Sequence, residues 1–285
     1  MTASIASKTK NKKDIKGILL TVVVSAIAVL WLYPFYLMFI LSFRDGQHVF
    51  DFVSLPNLMH IDNYIRVFSG VHVFSAFFNS IVITASTMVL AIMFASMAGY
   101  IISRSKEKFF NYVYLLFACG LIIPAQTSMI PIYKIGVYFG LINHIPFLVM
   151  IYLGGLTAFG TLIYTGFTKN IPVEIEESAK LDGCGVYGTF FRIIFPLLRP
   201  ATGTFLAVTI YWIWNDFSGP LIYLNNANVQ TIVMAIFNFQ NGNTRAIDWG
   251  ATLAICFISS VPMIVFFLFT QKYLLKGLTS GAVKG

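Results

Sequence analysis

The chain has 285 residues, of which 58% are hydrophobic and 11% charged, and its mean hydropathy is +0.79. A soluble domain carries about 25% charged residues, and several apolar runs here exceed the roughly 20 residues that a helix needs to cross a bilayer, so a soluble globular fold is excluded. The runs are continuous rather than alternating, which excludes a β-barrel, and the net charge of +8 is read as membrane topology rather than nucleic-acid binding, because Lys and Arg collect on the cytoplasmic side.

The N-terminal segment 1–17 is basic, with Lys8, Lys10, Lys12, Lys13 and Lys16. The apolar run after it is too long for a signal-peptide core and lacks a small-residue cleavage site, so it is read as a retained first span. Six spans are expected, at 18–42, 75–103, 111–135, 146–168, 198–224 and 248–274. With the N-terminus inside, the segments 1–17, 104–110, 169–199 and 272–285 face the cytoplasm and hold 15 of the 19 Lys and Arg residues. That bias places both termini in the cytoplasm. The fold class expected is an all-α integral membrane protein.

The outer loop after span one, to residue 74, carries His48, His60 and His72, twelve residues apart, with no cysteine or acidic cluster beside them. Solvated loop histidines are the reading, and no metal site is expected. Cys119, Cys184 and Cys256 form no CxxC pair and are read as small apolar residues rather than disulfide partners or metal ligands. There is no GxxxxGK[ST] loop to hold nucleotide phosphates, and neither HExxH nor GxSxG occurs.

Between spans four and five the chain turns polar. Four of its eleven carboxylates, Glu174, Glu176, Glu177 and Asp182, lie within nine residues. Gly183, Gly185 and Gly188 match GxGxxG, but no strand precedes them and no acidic residue follows at the required distance, so dinucleotide binding is rejected. Two short helices joined by a glycine turn fit better. Pro172 and three glutamates suit a helix start, and Gly183 suits a left-handed cap. A second helix is expected to bury Val186, Phe190 and Ile193 at i, i+4, i+7 and to stop at Pro196. From physics alone, this unit is either a docking surface or a solvated cytoplasmic loop.

Span five is interrupted by Asn215, Asp216, Ser218, Gly219 and Pro220. A carboxylate at membrane depth must face water or the bundle interior, and transporters place broken helices beside the substrate path. Trp212 and Trp214 flank the break. Two accounts stand side by side: aromatic and polar contacts to a sugar, or an aromatic belt beside a structural helix break.

The polar stretch resembles the coupling loop of ABC importer permeases, EAA-x3-G-x9-I-x-L-P. Here it reads Glu177-Ser178-Ala179, then Gly183, then Ile193-Ile194-Phe195-Pro196, with Ser178 and Phe195 as the two departures. Asn63-Tyr64 followed by Arg66-Val67-Phe68, and FFNSIVIT at 77–84, are similar to the family's entry into span two. WNDFSGPLIYL at 214–224, QTIVMAIFNF at 230–239 and the ending QKYLLKGLTSGAVKG resemble its carbohydrate branch, in the maltose-type second permease half.

The resemblance implies a division of the chain. It gives a cytoplasmic segment 1–17, a first span with outer loop at 18–74, a permease core 75–274 with its coupling loop at 170–197, and a cytoplasmic tail 275–285 that reaches the ATPases. It implies a heterodimer with a second permease subunit, two ATPase subunits, an extracellular solute-binding protein and a sugar substrate in a bacterial cell membrane. The chain would do no covalent chemistry and hold no cofactor, since ATP and Mg would sit on the partner ATPase. Glu177, Ser178, Ala179, Asp182, Gly183, Ile193 and Pro196 would form the coupling contact, and Trp212, Trp214, Asn215 and Asp216 the substrate path. A permease for a non-sugar solute and a proton-coupled secondary transporter are the alternatives.

Overall fold

The computed structural model describes residues 2–44, 61–70, 73–242 and 248–282, with side chains at 17–44, 61–69, 73–240 and 248–271. The expected loop histidines His48, His60 and His72, and the final three residues, lie outside the described residues. All regular structure among the described residues is helical. Among the described residues four helices are long and apolar enough to span a membrane, and two bent helix pairs pass the same test, which gives four to six candidate spans there. It is a multi-pass membrane protein.

The chain clusters into two compact units. The first comprises residues Met1–Ser69 and Asn243–Ile258, the second Gly70–Gly242 and Ser259–Gly285.

In the first unit, helix α1 (Thr2–Leu41) is continuous through Pro34. From Ile18 to Tyr36 its large apolar side chains are exposed, as expected of a helix whose surroundings are lipid or another subunit. Its end is fixed by the short helix α2 (Asp62–Gly70). Asn63 is fully buried, and its Nδ2 donates to the carbonyls of Ser42 and Arg44, each at 2.7 Å. The Ser42 and Tyr64 hydroxyls bond at 2.7 Å. Arg66 bonds the Asn63 side-chain oxygen and pairs with Asp248 at 3.3 Å. Val67 is fully buried. Within the NYxRVF pattern, Asn63, Tyr64 and Val67 turn inward while Arg66 and Phe68 are exposed, and Asn63 satisfies carbonyls left open at a helix end.

The second unit is built on helix α3 (Val73–Arg104) packed along helix α6 (Ile145–Thr168). Apolar helices gain no hydrophobic drive from one another in lipid, so close packing through small residues holds them. Ala91, Ala95 and Gly99 supply that stripe on α3. A Cβ added at Gly99 would come within 2.7 Å of the Tyr164 Cβ, and one at Gly160 within 2.7 Å of the Ala95 Cβ. Both α3 and α6 fall within two residues of the expected spans two and four.

The third expected span is sharply bent, and the fifth is broken where its polar residues interrupt it. Residues 111–135 are not one helix but two, α4 (Lys108–Gly120) and α5 (Ala125–Tyr138), bent by 98°. Pro124 forces the residue before it out of the helical region and has no N–H to continue the ladder. The fifth span is helix Arg199–Trp214 followed, after a break, by Ser218–Tyr223. The last helix runs from Trp249 to Ala282 through Pro262.

Candidate functional site

The polar segment folds as expected into two helices around a glycine. Helix α7 (Glu174–Leu181) starts two residues after Pro172, with Glu174, Glu176 and Glu177 in its first turn. It ends in a Schellman arrangement: Cys184 N–H donates to the Ala179 carbonyl at 2.9 Å, and Gly183 N–H to that of Lys180 at 3.1 Å. Gly183 has φ +85°, a conformation costly to any residue with a Cβ.

The next helix, Val186–Leu197, departs from the periodic expectation. Its middle, Thr189–Ile194, is a turn of π-helix. The wider turn holds extra residues and rotates the buried face. Phe190 and Ile194 are buried, whereas Val186 is 70% exposed and Ile193 only half-buried. Pro196 does not stop the helix on the spot. It lies in the short α-helical turn Phe195–Leu197, where a missing N–H leaves nothing unpaired, and the chain then bends by 66° into helix Arg199–Trp214.

The residues expected to form the coupling contact divide by exposure. Glu177, Ser178, Asp182 and Gly183 face outward. The Ser178 hydroxyl donates to the Glu174 carbonyl at 2.8 Å, so the departure from alanine is absorbed within its own helix. Ala179 is 4% exposed and turns inward, which makes its close packing internal to this chain. The most exposed apolar groups are Leu181 at 90%, Val186 at 70% and Tyr187 at 75% exposure. These three flank the glycine turn and were not among the sequence candidates. Exposed apolar side chains at the tip of a polar hairpin are a mark of a contact surface.

In the sequence Glu176 presents only as a helix-dipole charge. It is instead buried at 5% exposure. Its Oε1 accepts from Arg104 Nε at 2.6 Å and its Oε2 from the Tyr100 hydroxyl at 2.7 Å. Arg104 Nη2 also donates to the Ile171 carbonyl at 2.8 Å. In the sequence Arg104 was one more basic residue at a span end, and no spacing linked it to a residue 72 positions away.

At the fifth-span break the four candidates separate. Asp216 caps the helix after the break: Oδ1 accepts Ser218 N–H at 3.1 Å and Oδ2 accepts Gly219 N–H at 3.0 Å. Tyr152 of α6 donates to the same Oδ2 at 2.6 Å. Trp214 is buried at 4%, donates from Nε1 to the Ser259 carbonyl at 3.2 Å and meets Phe77 edge-on at 5.9 Å. Asn215 is exposed, and its Nδ2 donates to the Tyr211 carbonyl at 3.0 Å. Trp212 is exposed and lies beside Phe159 at 6.0 Å. Trp214 and Asp216 are thus held by their own chain, while Trp212 and Asn215 face outward. No group of three or more His, Cys, Asp or Glu side chains fit to hold a metal occurs among the described residues.

Comparison with known proteins bears out the family resemblance. The probable starch degradation products transport system permease protein AmyC of Thermoanaerobacterium thermosulfurigenes is 32% identical over 277 residues, 96% of this chain and 99% of that one. The melibiose/raffinose/stachyose import permease protein MelC of Bacillus subtilis is 31% identical, over 98% of this chain and 99% of its own. The fold matches a chain in the crystal structure of a bacterial ABC transporter involved in the import of the acidic polysaccharide alginate. That match has a TM-score of 0.78 at 21% identity and covers 91% of this chain and 96% of the other. Residues 91–279 match the model of the binding-protein-dependent transport system inner membrane component, and the chain belongs to that family.

Proposed function

We propose that this chain is one of two permease subunits of a bacterial ABC importer and forms half of the path for a sugar or oligosaccharide. The observation that carries the reading is the hairpin at 174–197: an acidic outer face and an exposed apolar tip on a helix capped by Gly183. Such a surface suits a partner that it does not contain. Two ATPase subunits would supply it, with ATP and Mg bound between them, and their closure would push on the hairpin. Glu177 and Asp182 would make charged contacts, with Leu181, Val186 and Tyr187 packed around Gly183. Pushing the hairpin would rock the helices from an inward-facing to an outward-facing arrangement. An external solute-binding protein would deliver the solute.

A carbohydrate substrate is supported by the relatives, whose names specify starch degradation products and the melibiose, raffinose and stachyose group. Trp212 and Asn215 would be the residues on this chain free to meet a sugar, the indole stacking on C–H faces and the amide bonding hydroxyls. Both termini would be cytoplasmic, in line with the basic bias of the segments assigned inside.

The test is a tagged purification of this chain from native membranes in mild detergent, with each co-purifying protein identified by mass. Recovery of an ATPase, a second permease and a solute-binding protein is the expected result. Recovery of the chain alone, as monomer or homodimer, would overturn it.

A further inference from the structure

We propose that Arg104, Tyr100 and Glu176 form a clamp that transmits movement of the coupling hairpin directly to helix α3, and so serve as positioning residues for transport. The inference rests on the reading that an ATPase docks on the hairpin. By chain connection alone, the hairpin would act on α6, which precedes it, and on helix Arg199–Trp214, which follows. The clamp adds a third route that the sequence does not display.

Its geometry is two-handed. Arg104 and Tyr100 stand four residues apart on one face of α3, at its final turns. Arg104 holds both the first turn of α7, through Glu176 at 2.6 Å, and the strand of chain just before it, through the Ile171 carbonyl at 2.8 Å. The Tyr100 hydroxyl holds the other carboxylate oxygen at 2.7 Å, while its ring lies 5.3 Å from that of Phe190 in the second helix of the hairpin. The two side chains therefore touch both helices of the hairpin and its entry.

The clamp is also stiff. The Arg104 and Glu176 side chains are 18% and 6% exposed, so the ion pair is shielded from water and salt. A shielded charge pair resists separation, because opening it would leave a desolvated charge unpaired. The hairpin cannot swing away from α3 without breaking it. One turn before Arg104, α3 presses on α6 at the Gly99–Tyr164 approach, so a push received at α7 enters the tightest helix pair of the unit. Glu177, the neighbouring glutamate, faces outward. The two adjacent carboxylates thus have opposite duties, Glu177 toward the partner and Glu176 toward the bundle.

The experiment uses the complex purified through this chain and reconstituted in proteoliposomes, reading solute imported per ATP hydrolysed. Glu176→Gln keeps the shape and removes the charge. The expected result is normal recovery of the ATPase and continued ATP hydrolysis, with import per ATP lowered about tenfold. Tyr100→Phe removes one hydroxyl with little risk to folding and is expected to lower the ratio about threefold. The double variant should be no worse than Glu176→Gln alone, because both act on one contact. An unchanged ratio in both single variants, or fully additive losses in the double variant, would overturn the clamp. So would loss of the ATPase from both single-variant complexes, which would make the cluster a folding element only. Absence of an ATPase from the wild-type complex would instead refute the docking reading itself.

Discussion

Single side chains at this site do one of two jobs, and exposure tells them apart. Glu177 is exposed with no duty inside the hairpin, so Glu177→Lys should leave insertion and folding intact. It reverses a charge on the proposed docking face, and like-charge or lost pairing there costs several kcal/mol. Uptake is expected to fall about tenfold or more at equal membrane abundance, measured as initial rates against quantified protein; uptake at the wild-type rate would remove Glu177 from the contact. Asp216 is the opposite case. Asparagine caps helices about as well as aspartate, so Asp216→Asn should keep uptake within about threefold. Asp216→Ala removes the cap and strands the Tyr152 hydroxyl, a loss of about 2 kcal/mol. It should show as a lower melting temperature in detergent than either Asp216→Asn or wild type. Equal melting of the two variants would show that the cap contributes nothing.

At the scale of helices, the sequence was legible wherever hydrophobic length decided the outcome, and opaque wherever a contact did. Spans two and four could be placed within two residues because continuous apolar runs permit only helix in a membrane. The left-handed cap at Gly183 could be placed because its chemistry is local. The 98° bend at Gly120–Pro124 had local signals too, a glycine and a proline four residues apart, hidden in an apolar run that looked like a single span. The π turn at Thr189–Ile194 and the Arg104–Glu176 pair had none, and the pair depends on what α3 offers across the fold. Packing gives a further test at this scale. Gly99→Ala forces a methyl to 2.7 Å from the Tyr164 Cβ, whereas Gly154 has no atom within 4 Å of the same addition. Overpacking of the first should cost about 1–3 kcal/mol, while the second should be neutral or gain up to about 1 kcal/mol in helix propensity. Melting of the two purified variants side by side checks the difference, and a stable Gly99→Ala would mean that α3 and α6 can separate at little cost.

For the whole molecule, the question is the energy source. A proton-coupled carrier needs a carboxylate that alternates between protonated and free states along the path. Asp216 is the one carboxylate in the interior of an expected span, and both of its oxygens already accept from Tyr152, Ser218 and Gly219. Those three donors tie it to the helix break. A relay there would have to uncap the helix in every cycle. The hairpin, by contrast, presents an exposed apolar tip of Leu181, Val186 and Tyr187 on the polar connection between two helices, where a carrier working alone has no use for one. Work delivered from outside the chain is the consistent account. Uptake should therefore cease when ATP is depleted with the ion gradients held intact, and should persist when a protonophore collapses the gradient while ATP is maintained. Cells carrying this chain and its partners, assayed for initial uptake under both regimes, separate the two cases. The reverse pattern would return Asp216 to the centre of the mechanism and leave the hairpin without a purpose.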